Sequence, residues 1–190
     1  MEIVTFVIIG MIVAVMLYGV MIYNNLVSLK HAVTKAWSNI DVLLKQRHDE
    51  LPKLVETCKQ YMKYEQETLE RVMNARSAVS SAMQKGDVGG VGSAESELRI
   101  GLGNLFAVAE NYPELKANES FLHLQSRITG LENSIADRRE FYNESANNNN
   151  VRIEQFPDVI LANWFKFKPA ELLEFEDNEI SDVDVGALFN

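Results

Sequence analysis

Residues 3–22 read IVTFVIIGMIVAVMLYGVMI, twenty positions without a charge, preceded by Glu2. At about 1.5 Å per residue a helix over this stretch spans roughly 30 Å, the thickness of a bilayer's hydrocarbon core. Tyr18 and Tyr23 stand toward one end, where amphipathic rings favour the membrane interface. A cleaved secretory signal would need a basic n-region, a shorter apolar core and a small-residue cleavage site. Glu2 stands in place of the basic n-region and no A-x-A site follows, so an uncleaved anchor in the lipid bilayer is expected. Lys30, His31, Lys35, Lys45 and Arg47 follow the stretch and nothing basic precedes it apart from the terminal amine. By the positive-inside rule the N-terminus lies outside the membrane and the C-terminal body in the cytoplasm, a single-pass arrangement.

Removing the anchor from 190 residues leaves enough chain for one domain with a sizeable core. The formal charge of −9 argues against nucleic acid as a partner. Much of that charge lies after Lys168, in Glu171, Glu174, Glu176, Asp177, Glu179, Asp182 and Asp184, so the body is close to neutral. A lone cysteine, Cys58, excludes an internal disulfide and occupies an apolar helical position, which reads as a buried structural thiol.

Beyond the anchor, Leu26, Leu29, Val33, Ala36, Trp37, Ile40 and Leu44 step by three and four along one helical stripe. No Gly or Pro separates this stripe from the anchor, so one helix runs from bilayer into bundle. Pro52 suits the first turn of a second helix, with Asp49 as its cap and Lys85 near its end. The glycine-rich GDVGGVGS at 86–93 then reads as a flexible connection, since no Lys-Ser or Lys-Thr completes a phosphate loop. Ser93 caps a third helix that Asn111-Tyr112-Pro113 ends. Asn118 caps the longest segment, to about residue 155, with Phe121, Leu124, Ile128, Leu131, Ile135, Arg138, Tyr142 and Ile153 near a heptad seam. Asn147 to Asn150 either fray this helix or form a polar layer within it, and a helix passing through a polar patch is the favoured reading. Phe156-Pro157 ends it. The aromatic segment that follows, with Trp164, Phe165, Phe167, Lys166 and Lys168, is either a short helix folded across the bundle end or an interfacial or partner-binding element. The expected organisation is an anchor at 1–23, a helical bundle at 24–156, the aromatic-rich segment at 157–169 and an acidic tail at 170–190.

Catalytic chemistry has no motif here. His31, His48 and His123 fall on different helices, no H-E-x-x-H, di-iron E-x-x-H or G-x-S-x-G pattern occurs, and Arg47-His48-Asp49 reads as a helix end. The expectation is no enzyme, no cofactor and no metal site.

Several long blocks resemble the LemA family of bacterial membrane proteins. They are WSNIDVLLKQRHDELP at 37–52, RVMNAR at 71–76, YPELKAN at 112–118 with the helix that follows, and EQFPDVILANWFKFKP at 154–169. The resemblance covers Tyr23 to Pro169. It implies a single-pass protein with a long antiparallel helical bundle, no established enzymatic activity or cofactor, and relatives linked to bacterial membrane organelles. The asparagine run and the long acidic tail depart from the family's usual pattern. The combined expectation is an all-α chain in which a transmembrane helix continues into a coiled-coil-like bundle of about four helices. Its expected function is a scaffold that self-associates as a homo-oligomer and organises the membrane or envelope. The alternative is an adaptor binding another membrane protein such as a protease, transporter or signalling kinase. The candidate interaction residues are Trp37, Arg47, Asp49, Arg138, Arg139, Tyr142, Trp164 and Phe165.

Overall fold

A computed structural model describes residues 2–174; residues 175–190 of the acidic tail lie outside them. Among the described residues the chain is all α. The elements are α1 (Glu2–Lys59), α2 (Gln66–Lys85), α3 (Val88–Ala109), α4 (Pro113–Lys116), α5 (Glu119–Glu154) and α6 (Asp158–Trp164). Four of these are long and two are short, so the expected count of long helices holds while several boundaries move.

The first correction concerns Pro52. It does not start a helix: α1 runs through it to Lys59. A proline inside a helix has no N–H for the carbonyl four residues back, here that of His48. Arg76 on α2 supplies the missing donor, its Nε donating to His48 O at 2.9 Å. Its Nη2 also lies 2.6 Å from His48 Nε2. The packing of α2 thus satisfies a backbone group that would otherwise break the helix.

The second correction is that the chain turns at 60–65, inside the expected second helix. Tyr61 and Met62 both donate their N–H groups to Cys58 O, and Met62 drops into the core. Two polar contacts hold the turn: Asn118 Nδ2 donates to Tyr61 Oη at 3.1 Å, and Tyr112 Oη donates to Glu65 Oε1 at 3.4 Å.

The third is the glycine-rich stretch, most of which is helical. Gly86 takes the left-handed conformation (φ 67°) that closes α2, and Asp87 caps α3 by accepting from Gly90 N at 2.8 Å. Aspartate caps as well as serine does, so the cap of α3 lies six residues before Ser93 and α3 needs only a two-residue connection. Gly92 is there for space, because a Cβ would collide with the Glu174 carbonyl oxygen.

The chain divides into two compact units. One consists of residues 41–136 with 173 and 174. Its core gathers Leu51, Leu54 and Cys58 of α1, Leu69 and Val72 of α2, Leu98, Leu102 and Leu105 of α3, Leu115 of α4, and Phe121 and Ile128 of α5. Each such side chain contributes roughly 1.5–3 kcal/mol when fully buried. Cys58 is fully buried, and burial pushes its thiol up to about 12, as expected of a structural cysteine.

Within this unit a charged cluster is sealed among the helices. Arg47 and Glu95 are each 3 % exposed and form an ion pair, and Arg47 Nη1 also lies 3.9 Å from Glu132 Oε1. Burial raises the Glu132 pKa above its ordinary value, against the pull of Arg47 and Arg99; Glu95 pushes it the same way as burial. Next to the cluster along α1, Glu50 receives Arg127 Nε at 3.0 Å and Lys53 Nζ at 3.1 Å.

The other unit consists of residues 2–40 and 137–172. Its α1 portion carries the apolar stretch, exposed almost throughout, before Ile22 and Leu26 turn inward to meet Ile153 of α5 and Ala162 of α6.

Candidate interaction site

The C-terminal segment of the second unit folds back along α5 and onto α1, and asparagines hold it there. Asn150 Nδ2 donates to Ala170 O at 2.8 Å, while Ala170 N donates to Asn150 Oδ1 at 2.7 Å. One side-chain amide therefore serves both backbone groups of one residue. Asn149, 3 % exposed, donates to Lys168 O at 3.4 Å and to Asn150 Oδ1 at 3.2 Å. Tyr142 Oη adds a bond to Glu171 O at 2.8 Å. The asparagine run does not fray α5: an extended segment needs backbone partners, and these side chains provide them.

Helix α6 is fixed at its start by an ion pair between the buried carboxylate of Asp158 and Arg152 of α5. Its end is a Schellman turn. Lys166 N donates to Asn163 O at 3.2 Å and Phe167 N to Ala162 O at 2.9 Å. The left-handed position of such a turn is ordinarily glycine, yet here it is Lys166, with φ 57°. A side chain in this conformation costs about 1 kcal/mol. We therefore expect Lys166→Gly to stabilise the α6 terminus by about 1 kcal/mol, seen as roughly fivefold slower hydrogen exchange at the Phe167 amide. Unchanged or faster exchange would show that the turn is not strained.

Beside this turn lies a cleft of about 670 Å³ between α1, α5 and the returning segment. Tyr23, Phe165 and Phe167 form an aromatic wall, with ring centroids 4.7 Å (Tyr23–Phe165) and 6.0 Å (Tyr23–Phe167) apart. Lys30, His31, Lys166 and Lys168 bring its basic groups. On the exposed surface of the same segment, Phe156, Ile160 and Trp164 recur every four residues; Phe156 and Trp164 are 81 % and 78 % exposed.

The eight candidate residues fall into separate places. Trp37 and Tyr142 meet, with ring centroids 5.3 Å apart, and Tyr142 is buried. Burial pushes the Tyr142 phenol above its ordinary pKa, and Glu171 adds to the rise. Phe165 lies on the cleft and Trp164 on the exposed surface of α6. Arg138 is exposed and Arg139 half-buried on α5. Arg47 is sealed in the other unit, and Asp49 is exposed there. Sequence reasoning missed Asn149 and Asn150 as holders of the C-terminal segment, and Glu95 as the partner of Arg47. Among the described residues no three His, Cys, Asp or Glu side chains are grouped to hold a metal ion.

Fold and site together define an all-α protein whose first helix holds a stretch long and apolar enough to cross a membrane. A basic and aromatic cleft lies where that stretch ends. The chain belongs to the LemA family, whose sequence model matches residues 36–186. It is similar to Magnetosome protein MamQ 2 of Paramagnetospirillum magneticum, 25 % identical over 186 residues, covering 86 % of this chain and 68 % of that protein. Magnetosome protein MamQ of Magnetospirillum gryphiswaldense is 26 % identical, covering 78 % and 63 % respectively. Protein LemA of Metamycoplasma hominis is 27 % identical, covering 88 % and 75 %.

Proposed function

We propose that residues 3–22 anchor the chain in the bacterial inner membrane, N-terminus outside, and that the protein is a non-enzymatic scaffold that self-associates there. The observation that carries this reading is α1 itself. Its first 20 or so residues carry apolar side chains that are exposed among the described residues, and the same helix continues into the buried stripe of Leu26, Ala36, Ile40 and Leu44. An apolar surface of that extent needs lipid around it. Flanking positive charge sets the orientation. Confinement to a membrane raises the effective concentration of identical copies, which favours lateral assembly through modest contacts. Likeness to proteins named for the magnetosome accords with an organising role.

The test compares the mass of the full-length protein in mild detergent with that of a form starting at Asn24. A discrete large assembly of one chain type that requires the anchor is expected. A monomer in both cases overturns self-association, and a fixed-ratio complex with a different chain favours an adaptor. Carbonate extraction tests the anchor by itself: the full-length chain should stay with the membrane and the shortened one should not.

A further inference from the structure

We propose that the cleft beside Lys166 binds the headgroup of an anionic phospholipid, an inference that rests on the membrane-anchored reading above. Position is the first argument. Helix α6 and Phe167 pack on Ile22, the last residue of the apolar stretch, and on Leu26 one turn further on. Lipids surrounding residues 3–22 therefore end, in headgroups, at the level of this cleft.

Chemistry is the second. Lys30, Lys166 and Lys168 bring three ammonium groups to the cleft, and none is ion-paired among the described residues. The wall of Tyr23, Phe165 and Phe167 gives a flat amphipathic surface of the kind that suits the boundary between acyl chain and headgroup. A phosphodiester on the ammonium groups with its glycerol against the rings uses both features.

Strain is the third. Glycine would relieve the left-handed φ of Lys166, yet a lysine stands there, among the residues that line the cleft. Strain kept at one residue points to a use for its side chain. Finally, Phe156, Ile160 and Trp164 offer an exposed apolar surface at four-residue spacing on the same segment, fit to enter the interfacial layer while the lysines hold the phosphate.

The experiment uses the full-length protein. In nanodiscs, Trp164 emission is followed in a Trp37→Phe background, where it is the sole indole; in mild detergent, native mass spectrometry follows retained phosphatidylglycerol against phosphatidylcholine. We expect selective retention of phosphatidylglycerol. We also expect a roughly 100-fold loss of apparent affinity in Lys30→Gln/Lys166→Gln/Lys168→Gln, from a factor of about five compounded over the three lysines. Trp164 emission should be quenched by lipids brominated close to the headgroup. Equal retention of both lipids, or full retention by the triple variant, overturns the proposal. So does displacement of the lipid by millimolar inorganic phosphate, which would assign the cleft to a soluble anion. Trp164 emission that is unquenched by lipid, whether from water contact or from cover by a second protein chain, overturns it as well. All three lysines are exposed, so unchanged far-UV circular dichroism verifies that the triple variant folds. A chain that resists carbonate extraction but shows no lipid preference defeats this inference alone; a chain that carbonate releases defeats the anchor and the inference together.

Discussion

Arg47→Met destabilises the bundle by about 3–5 kcal/mol, read as a loss of that size in denaturant unfolding of the full-length protein in mild detergent. The methionine fills most of the arginine's volume, so packing loss is the smaller part. The larger part is Glu95, a carboxylate almost fully enclosed by helices and left without its counter-charge. Glu132 loses its neighbour too, and its already raised pKa rises further. The paired replacement Arg47→Met/Glu95→Leu should recover most of the loss, since an apolar pair of similar volume avoids desolvating two charges. A cost below about 1 kcal/mol for Arg47→Met would mean that water reaches the pair.

Pro52 and Arg76 should be coupled through a group that belongs to neither. Arg76→Met leaves His48 O unsatisfied inside α1 and costs about 1–3 kcal/mol. Pro52→Ala restores an N–H at the position that bonds this carbonyl, and alanine is the better helix former by up to about 3 kcal/mol. In the Pro52→Ala background, Arg76→Met should therefore cost at least 1 kcal/mol less than it does alone. Additive losses in the double-mutant cycle would sever the proposed link. Acid probes the same contact. Burial, then the Arg76 guanidinium, hold the His48 imidazole below its ordinary pKa, with Asp49 pulling the other way. The folded protein thus binds fewer protons than the unfolded one at this site. Its contribution is complete above the ordinary value of about 6.5 and is lost as pH falls through the lower, folded-state value.

The pattern of legibility follows from which forces act locally. Residues 3–22 and the stripe from Leu26 to Leu44 were readable as one helix because apolar content and spacing are local properties of the sequence. Asn118 was readable as a cap because its carboxamide serves an amide three residues on: Phe121 N donates to Asn118 Oδ1 at 3.0 Å. Pro52 misled, since a donor 24 residues further along the chain removes the penalty that makes proline a breaker. The turn at 60–65 carries no glycine or proline, and the apolar spacing from Cys58 to Met62 to Leu69 passes through it unbroken. Only its partners Tyr112 and Asn118, distant in sequence, reveal it. At the candidate site, the aromatic and basic character of 156–168 was plain from composition. The asparagines that fasten the segment looked like a helix defect, because their partners are backbone groups and leave no trace in side-chain patterning.

The buried thiol of Cys58 gives the molecule a built-in clock. Burial pushes its pKa up to about 12, so the reactive thiolate is scarce at pH 7. An alkylating reagent that cannot enter the core must also wait for the helices to part. Since the sequence holds no second cysteine, the pace of labelling counts openings at one known point. Loosening at the Arg47–Glu95 pair or at Pro52 can thus be timed on the intact chain without introducing a further cysteine.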